Sequence, residues 1–265
     1  MRICVLGSGS RGNCTLVEAG STVLLIDNGF SGVEISRRLR AIGREPSMLT
    51  AILVTHEHND HIAGVGVLSR QAEVPVYANP GTHRAAEERL GRLAGRLEFG
   101  TGEPFVINDL QIHPFAVSHD TADPVGFVIS DGRCRVGYCT DTGKITALIE
   151  HHLSGCHALV LESNHDPQML REGPYPLRLQ QRVRSSQGHL ANEDAGRFLQ
   201  KTVAGNSSLI HVVLAHLSET NNLPRLALEA ARANLGPDFE RLRVVAARQD
   251  RPCALLDLAI GGDNP

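Results

Sequence analysis

The chain has 265 residues, 42% hydrophobic and 21% charged, with a formal net charge of -3, a balance ordinary for globular proteins. No run approaches the roughly 18 uncharged apolar residues of a membrane span, and the near-neutral charge excludes a global basic field as the sign of a nucleic-acid partner. A chain of this size holds one full hydrophobic core, so a single domain over residues 1–265 is expected.

The first residues, MRICVLGSGSRGN, run directly into a predicted strand at 3–6 and a glycine-rich turn. They lack the apolar core and small-residue cleavage site of a secretory signal, which makes the cytoplasm the expected location. A strand at 22–26 ends on Asp27. A helix at 31–41 follows, with Ser31 as cap and Val33, Ile35 and Leu39 as its apolar residues. The apolar run 51–54 predicts a strand that leads straight into His56-Glu57-His58-Asn59-Asp60-His61. Further strands are predicted at 74–78, 111–117, 126–129, 135–139, 158–161, 209–215 and 243–246. Asp131-Gly132, between two of them, signals a tight hairpin and an antiparallel pair. The break at 173–176 reads as a plain surface loop. A helix at 192–203 would be capped by Asn192 and would pack through Ala195, Phe198 and Leu199. Strands alternating with helices predict an α/β fold.

Cys4, Cys14, Cys134, Cys139, Cys156 and Cys253 form no CxxC pair, so free buried thiols are expected rather than disulfides. Lys144 and Lys201 are the only lysines. Nearly all positive charge is therefore arginine, which grips phosphate through paired hydrogen bonds.

Three histidines and an aspartate within six residues are the strongest chemical signal in the chain. Imidazole nitrogen and carboxylate oxygen suit zinc and neighbouring divalent metals, and the end of a strand holds them on a rigid backbone. Imidazoles that would repel one another when protonated are clustered for a reason, and metal binding supplies one. Four such residues would crowd a single ion that must also hold water, which points to two.

HxHxDH after a strand resembles the signature of the metallo-β-lactamase superfamily, and other parts of that pattern follow in order over nearly the whole chain. They are Asp27 in LLIDNG, His119 in AVSHD, Asp141 in YCTDTG and His216 in VLAHLS. The resemblance implies a four-layer αββα sandwich. It further implies that His56, His58 and His119 hold one ion and Asp60, His61 and His216 the other. Asp141 would bridge the two, and Asp27 would orient a ligand. The ions would be zinc or manganese, with iron also compatible.

A finer resemblance is to the YycJ/WalJ-like group, through SGSRGN (8–13), HDTADP (119–124), ESNHD (162–166) and GHLANEDA (188–195). That group implies a 5′ to 3′ exonuclease acting on single-stranded DNA. No large insertion suggests the extra domain of β-CASP nucleases or the exosite arm of tRNA 3′-processing enzymes. Two metals that activate a bridging water and stabilise the leaving oxygen suit phosphodiester hydrolysis. His189 would then be a proton donor fixed by Glu162, although capping the helix at 192 is equally open to it. Asp60, Glu162 and His189 are the catalytic candidates. Ser8, Asn13, His165, Arg178 and Arg182 are candidates for substrate contact, the arginines through phosphate. Two other functions remain open: a hydrolase of small thioesters, lactones or lactams, and a non-catalytic metal-binding regulator.

Overall fold

Segments such as Thr22–Ile26 and His211–Ala215 are buried along their whole length, as expected of strands covered on both faces. Alternation then sorts the side chains of each strand between two of three cores. Leu24, Ile26, Val213 and Ala215 face one, while Leu25 faces a second and Val212 and Leu214 a third. The computed structural model of the protein describes residues 1–258. Residues 259–265 of the expected domain lie outside the described residues.

The first sheet contains β1 (Arg2–Gly7), β2 (Cys14–Ala19), β3 (Thr22–Ile26), β4 (Ala51–Leu53), β5 (Pro75–Ala78) and β6 (Gly95–Glu98). The second contains β7 (Phe105–Ile107), β8 (Leu110–Ala116), β9 (Val125–Ser130), β10 (Arg135–Cys139), β11 (Ala158–Glu162), β12 (His211–Ala215) and β13 (Arg243–Ala246). A closing strand, β14 (Leu256–Asp257), pairs with β1 at the edge of the first sheet. Strands β1 to β3 are antiparallel and β3 to β6 parallel. In the second sheet β7 to β10 are antiparallel and β10 to β13 parallel. The two sheets share one apolar core, to which Ile3, Leu24 and Leu53 contribute from the first and Ile112, Phe127 and Val160 from the second.

Helices α1 (Gly32–Ala41), α2 (Asn59–Ile62), α3 (Val65–Ala72) and α4 (Pro80–Leu90) cover the outer face of the first sheet through Ile35, Leu39, Ile62, Leu68 and Ala86. Helix α5 (Ala147–Leu153) packs on the second sheet. After β11 come α6 (Pro167–Glu172), α7 (Leu177–Val183) and α8 (Asn192–Gly205), and after β12 comes α9 (Pro224–Leu235). Ile149, Phe198, Leu199 and Ala231 carry α5, α8 and α9 onto that outer face. The result is the expected αββα sandwich. No helix among the described residues is long and apolar enough to cross a membrane, and all six cysteines are free.

Several local expectations are corrected. Strands β2, β6, β7 and β14 were not predicted. In β2 the run is broken by Glu18, which is buried only because Arg44 (2.7 Å) and Arg2 pair with it. Ser31 caps α1 as expected, but Val33 is 84% exposed while Ile35 and Leu39 are buried, because only the latter two share the i, i+4 face. Asn192 does not cap α8. Ala191 holds the cap position, and the Asn192 amide is buried against Ser163 and Asn222. The β9–β10 pair is antiparallel, but its connection spans residues 131–134, with Asp131 Oδ1 accepting from the amides of Arg133 and Cys134.

Candidate metal centre

The candidate ligands follow the C-terminal ends of strands. Asp27 comes after β3, His56 and His58 after β4, His119 after β8, Asp141 after β10 and His216 after β12, while Glu162 ends β11. Residues there overhang the edge where open α/β sheets hold their ligands. The backbone is bent to bring them in. Asp27, Asp141 and His216 have φ of 59°, 55° and 56°, the left-handed region that Asp, Asn and His enter more readily than other side-chain-bearing residues. Asp60 and His61 lie instead in the first turn of α2.

These elements bring together every residue predicted to bind metal. The donor atoms of His56, His58 and His119 lie within 4.8 Å of one another. So do those of Asp60, His61 and His216, and those of His56, His61 and Asp141. His58 Nδ1 and His119 Nε2 are 3.2 Å apart. Two nitrogens each about 2.0–2.1 Å from one tetrahedral ion would stand about 3.3 Å apart. Asp141 reaches both sides, with Oδ2 at 3.3 Å from His61 Nε2 and Oδ1 at 3.7 Å from His119 Nε2. His56 Nε2 and Asp141 Oδ2 are buried without a hydrogen bond, which is costly for polar atoms unless another partner completes them. Orphaned donor atoms at ligand spacing fit divalent cations.

Hydrogen bonds on the far side of the imidazoles fix which nitrogen faces the centre. His119 Nδ1 meets the carbonyl oxygens of Gln187 (3.2 Å) and Gly188 (3.1 Å); carbonyls only accept, so Nδ1 carries the proton and Nε2 is free to ligate. Asp27 Oδ2 accepts from His61 Nδ1 at 2.8 Å and from Thr55 Oγ1 at 2.8 Å, and Thr55 Oγ1 lies 2.9 Å from His56 Nδ1. One buried carboxylate thus orients two candidate ligands. Replacing Asp27 with Asn, which tolerates the left-handed backbone, is expected to weaken metal affinity by about 10- to 100-fold. Competition with a chromogenic chelator measures this, and unchanged affinity would rule out the orienting role.

Electrostatics within the centre are mixed. Burial, reinforced by His61, holds the His56 imidazole well below its usual pKa. At His61 burial is outweighed by Asp141, Asp60 and Asp27, and the pKa lies well above normal. His216 is likewise pushed up to about 10 against its burial, by Asp141, Asp60 and Glu162. Glu162 is pushed down to about 2, its burial overcome chiefly by His189.

Glu162 was predicted to hold His189, and its Oε1 lies 2.8 Å from His189 Nδ1. The same oxygen lies 3.0 Å from His216 Nδ1, and Oε2 accepts from the amides of Thr142 (2.8 Å) and Leu190 (3.1 Å). A cleft of about 340 Å³ opens over the centre, lined among others by His58, Asp60, Asp141, His189, His216 and Arg182. Arg182 Nε donates to Asp120 Oδ2 at 2.7 Å, on the loop of His119. Arg178 is exposed one turn earlier on α7 and does not line the cleft.

Three candidate substrate contacts are displaced. Asn13 is 1% exposed, and its Nδ2 lies 3.1 Å from both Asp60 Oδ2 and His61 Nε2. Ser8 Oγ donates to Asn13 Oδ1 (2.8 Å) and accepts from the amide of His216 (2.7 Å). The glycine-rich turn therefore braces candidate ligands. His165 is 3% exposed, absent from the cleft wall, and pushed down to about 4 chiefly by burial. Conversely, Tyr175, in the stretch read as a plain surface loop, lines the cleft. Asn164, whose Nδ2 donates to the carbonyl of His216 at 2.8 Å, was not singled out either. Its sequence signal was its place in the ESNHD motif, two residues past the end of β11.

Two mixed sheets between helical layers, with histidines and aspartates converging at the strand ends, define a metal-dependent hydrolase of the metallo-β-lactamase fold. Residues 22–212 match the model of the β-lactamase superfamily domain. The chain is 37% identical over 249 residues to exodeoxyribonuclease YycJ of Bacillus anthracis, covering 91% of this chain and 94% of the relative. It is also 37% identical over 247 residues to exodeoxyribonuclease WalJ of Streptococcus pneumoniae, covering 89% and 91%. The metallo-β-lactamase fold protein YhfI of Bacillus subtilis shares the fold with a TM-score of 0.73 at 18% identity, over 96% of this chain and 99% of that one. The chain belongs to the β-lactamase superfamily, in its YycJ/WalJ-like group.

Proposed function

We propose that this protein is a dinuclear metal-dependent phosphodiesterase that acts as a 5′ to 3′ exonuclease on single-stranded DNA in the cytoplasm, as one domain. The names of its relatives support the DNA substrate. His56, His58 and His119 would hold one ion, Asp60, His61 and His216 the other, with Asp141 between them. The nitrogen and oxygen donor set suits zinc, manganese or iron. Two such ions would supply Lewis acidity toward a phosphoryl oxygen and ease loss of a proton from water.

The observation that carries the phosphodiester reading is Glu162 Oε1 holding both His216 and His189. It ties an imidazole at the cleft wall to the ligand cluster. With Nδ1 donating to Glu162, His189 can present a protonated Nε2 to the cleft and deliver a proton to a departing sugar alkoxide. Thioesters and lactams give a less clear reason for that added donor. Asp60, on the cleft floor with its side chain 24% exposed, is placed to accept a hydrogen bond from entering water. Arg182, steadied by Asp120, is placed to meet a backbone phosphate.

Purified protein with Mn²⁺ or Zn²⁺ should shorten end-labelled single-stranded DNA one nucleotide at a time. No cleavage with any divalent metal, beside ready turnover of an acyl-glutathione thioester, would reject the proposal in favour of carbonyl chemistry. Arg182→Ala should weaken binding to all sequences alike and reduce the slope of log K against log salt by about 1. Fluorescence anisotropy at several salt concentrations measures both, and an unaltered slope would remove Arg182 from the phosphate path.

A further inference from the structure

We propose that Tyr175 is the base-stacking residue of the cleft, receiving on its ring the base of the nucleotide at the attacked end. This rests on the phosphodiesterase reading and names how that site would hold its substrate.

The chain has seven phenylalanines, three tyrosines and no tryptophan. The other nine rings are accounted for. Phe30, Phe99, Phe115, Phe127, Phe198 and Tyr138 are buried in the cores, Phe105 and Tyr77 stack on one another at 5.6 Å, and Phe239 lies under the Arg232 guanidinium at 4.2 Å. Tyr175 alone of these rings lines the metal-site cleft. Among the described residues its ring stacks on no other and its hydroxyl makes no hydrogen bond.

Its segment is nevertheless held in place. The Tyr175 carbonyl accepts from Gln180 Nε2 at 2.9 Å. Gly173 sits so close to its neighbours that an added Cβ would lie 2.6 Å from the Met169 carbonyl oxygen and 2.8 Å from Asn221 Oδ1. Pro176 then fixes the entry to α7, bringing Leu179 and Arg182 to the same cleft. The wall opposite in chemistry is polar, with Ser10, Asn164, Ser218 and Asn221. A half-buried aromatic ring beside an aliphatic side chain and a guanidinium, above a cluster that would hold the phosphodiester, suits a nucleotide with its base on the ring. Every base offers a π-face, so such contact adds affinity with little sequence preference.

The test couples a change in the enzyme to a change in the substrate. Wild type, Tyr175→Ala and Tyr175→Phe are compared on single-stranded oligonucleotides whose attacked end carries either a normal nucleotide or a baseless tetrahydrofuran residue. Steady-state kinetics and anisotropy of labelled DNA give the readouts, with thermal melting as a check on folding. Removing the base should cost wild type and Tyr175→Phe roughly five- to a hundred-fold in kcat/KM, falling on KM more than kcat. It should cost Tyr175→Ala almost nothing. Equal loss in wild type and Tyr175→Ala would overturn the proposal, as would a Tyr175→Phe variant as impaired as the alanine. Wild type that cleaves neither oligonucleotide would instead overturn the phosphodiesterase reading, and the stacking role with it.

Discussion

Asp141→Asn is expected to yield a folded protein that has lost about a thousand-fold or more of its activity on single-stranded DNA. Asp141 is 2% exposed and its oxygens face His61, His119 and His216 at 3.3 to 3.7 Å, so among the described residues it is the carboxylate that reaches both proposed ligand sets. A metal ion contributes several kcal/mol of charge stabilisation in such reactions, and each 1.36 kcal/mol is a factor of ten in rate. The asparagine keeps the shape and accepts the φ of 55°, so thermal stability should change little. Alanine at this position should be equally inactive but cost about 1–2 kcal/mol more in folding, because its Cβ has no compensating hydrogen bond in the left-handed region. Metal content by elemental analysis, turnover and melting temperature of the two variants check each part. Undiminished turnover in Asp141→Asn would remove the bridging role.

The second large effect is expected at His189. Its replacement by alanine should lower kcat on DNA by about 10²- to 10⁴-fold, the usual worth of a positioned proton donor. A p-nitrophenyl phosphodiester, whose leaving group departs without a proton, should be cleaved nearly as well as by wild type. Glu162→Gln should behave differently. Glu162 accepts four hydrogen bonds, two from ring nitrogens and two from backbone amides, and an amide cannot accept them all. Since His216 is one of the four partners, turnover of both esters should fall. A His189→Ala variant that lost both substrates equally would assign this imidazole to holding the site together rather than to protonating a leaving group.

Much of the centre was legible because its chemistry is written in consecutive residues. HEHNDH begins three residues past the end of β4, so four candidate ligands needed only the local geometry of a strand end and a helical first turn. Asp27, His119, Asp141 and His216 were picked out through the family resemblance, each just after a predicted strand. The apolar runs gave an α/β arrangement, and the resemblance carried by the motifs implied the sandwich. Errors arose where a residue's partner is remote. Ser8 and Asn13 were candidates for substrate contact, and the structure shows them bracing His216, Asp60 and His61 from 47 to 208 positions away. Asn192 had the chemistry of a cap, but its amide was taken by Ser163 and Asn222.

By itself, then, the sequence determined the superfamily and, through the resemblance to it, which residues at strand ends to propose as ligands, all from the motifs of short segments. Only the tertiary structure decided that Glu162 serves two histidines, that Asp120 steadies Arg182, and that Tyr175 is the ring left facing the cleft. Those outcomes depend on sheet register and on three left-handed turns, which set where a side chain points after the chain has crossed from one element to another. Composition along the chain carries no record of that direction, because the same residue types satisfy a surface turn and a site wall equally well.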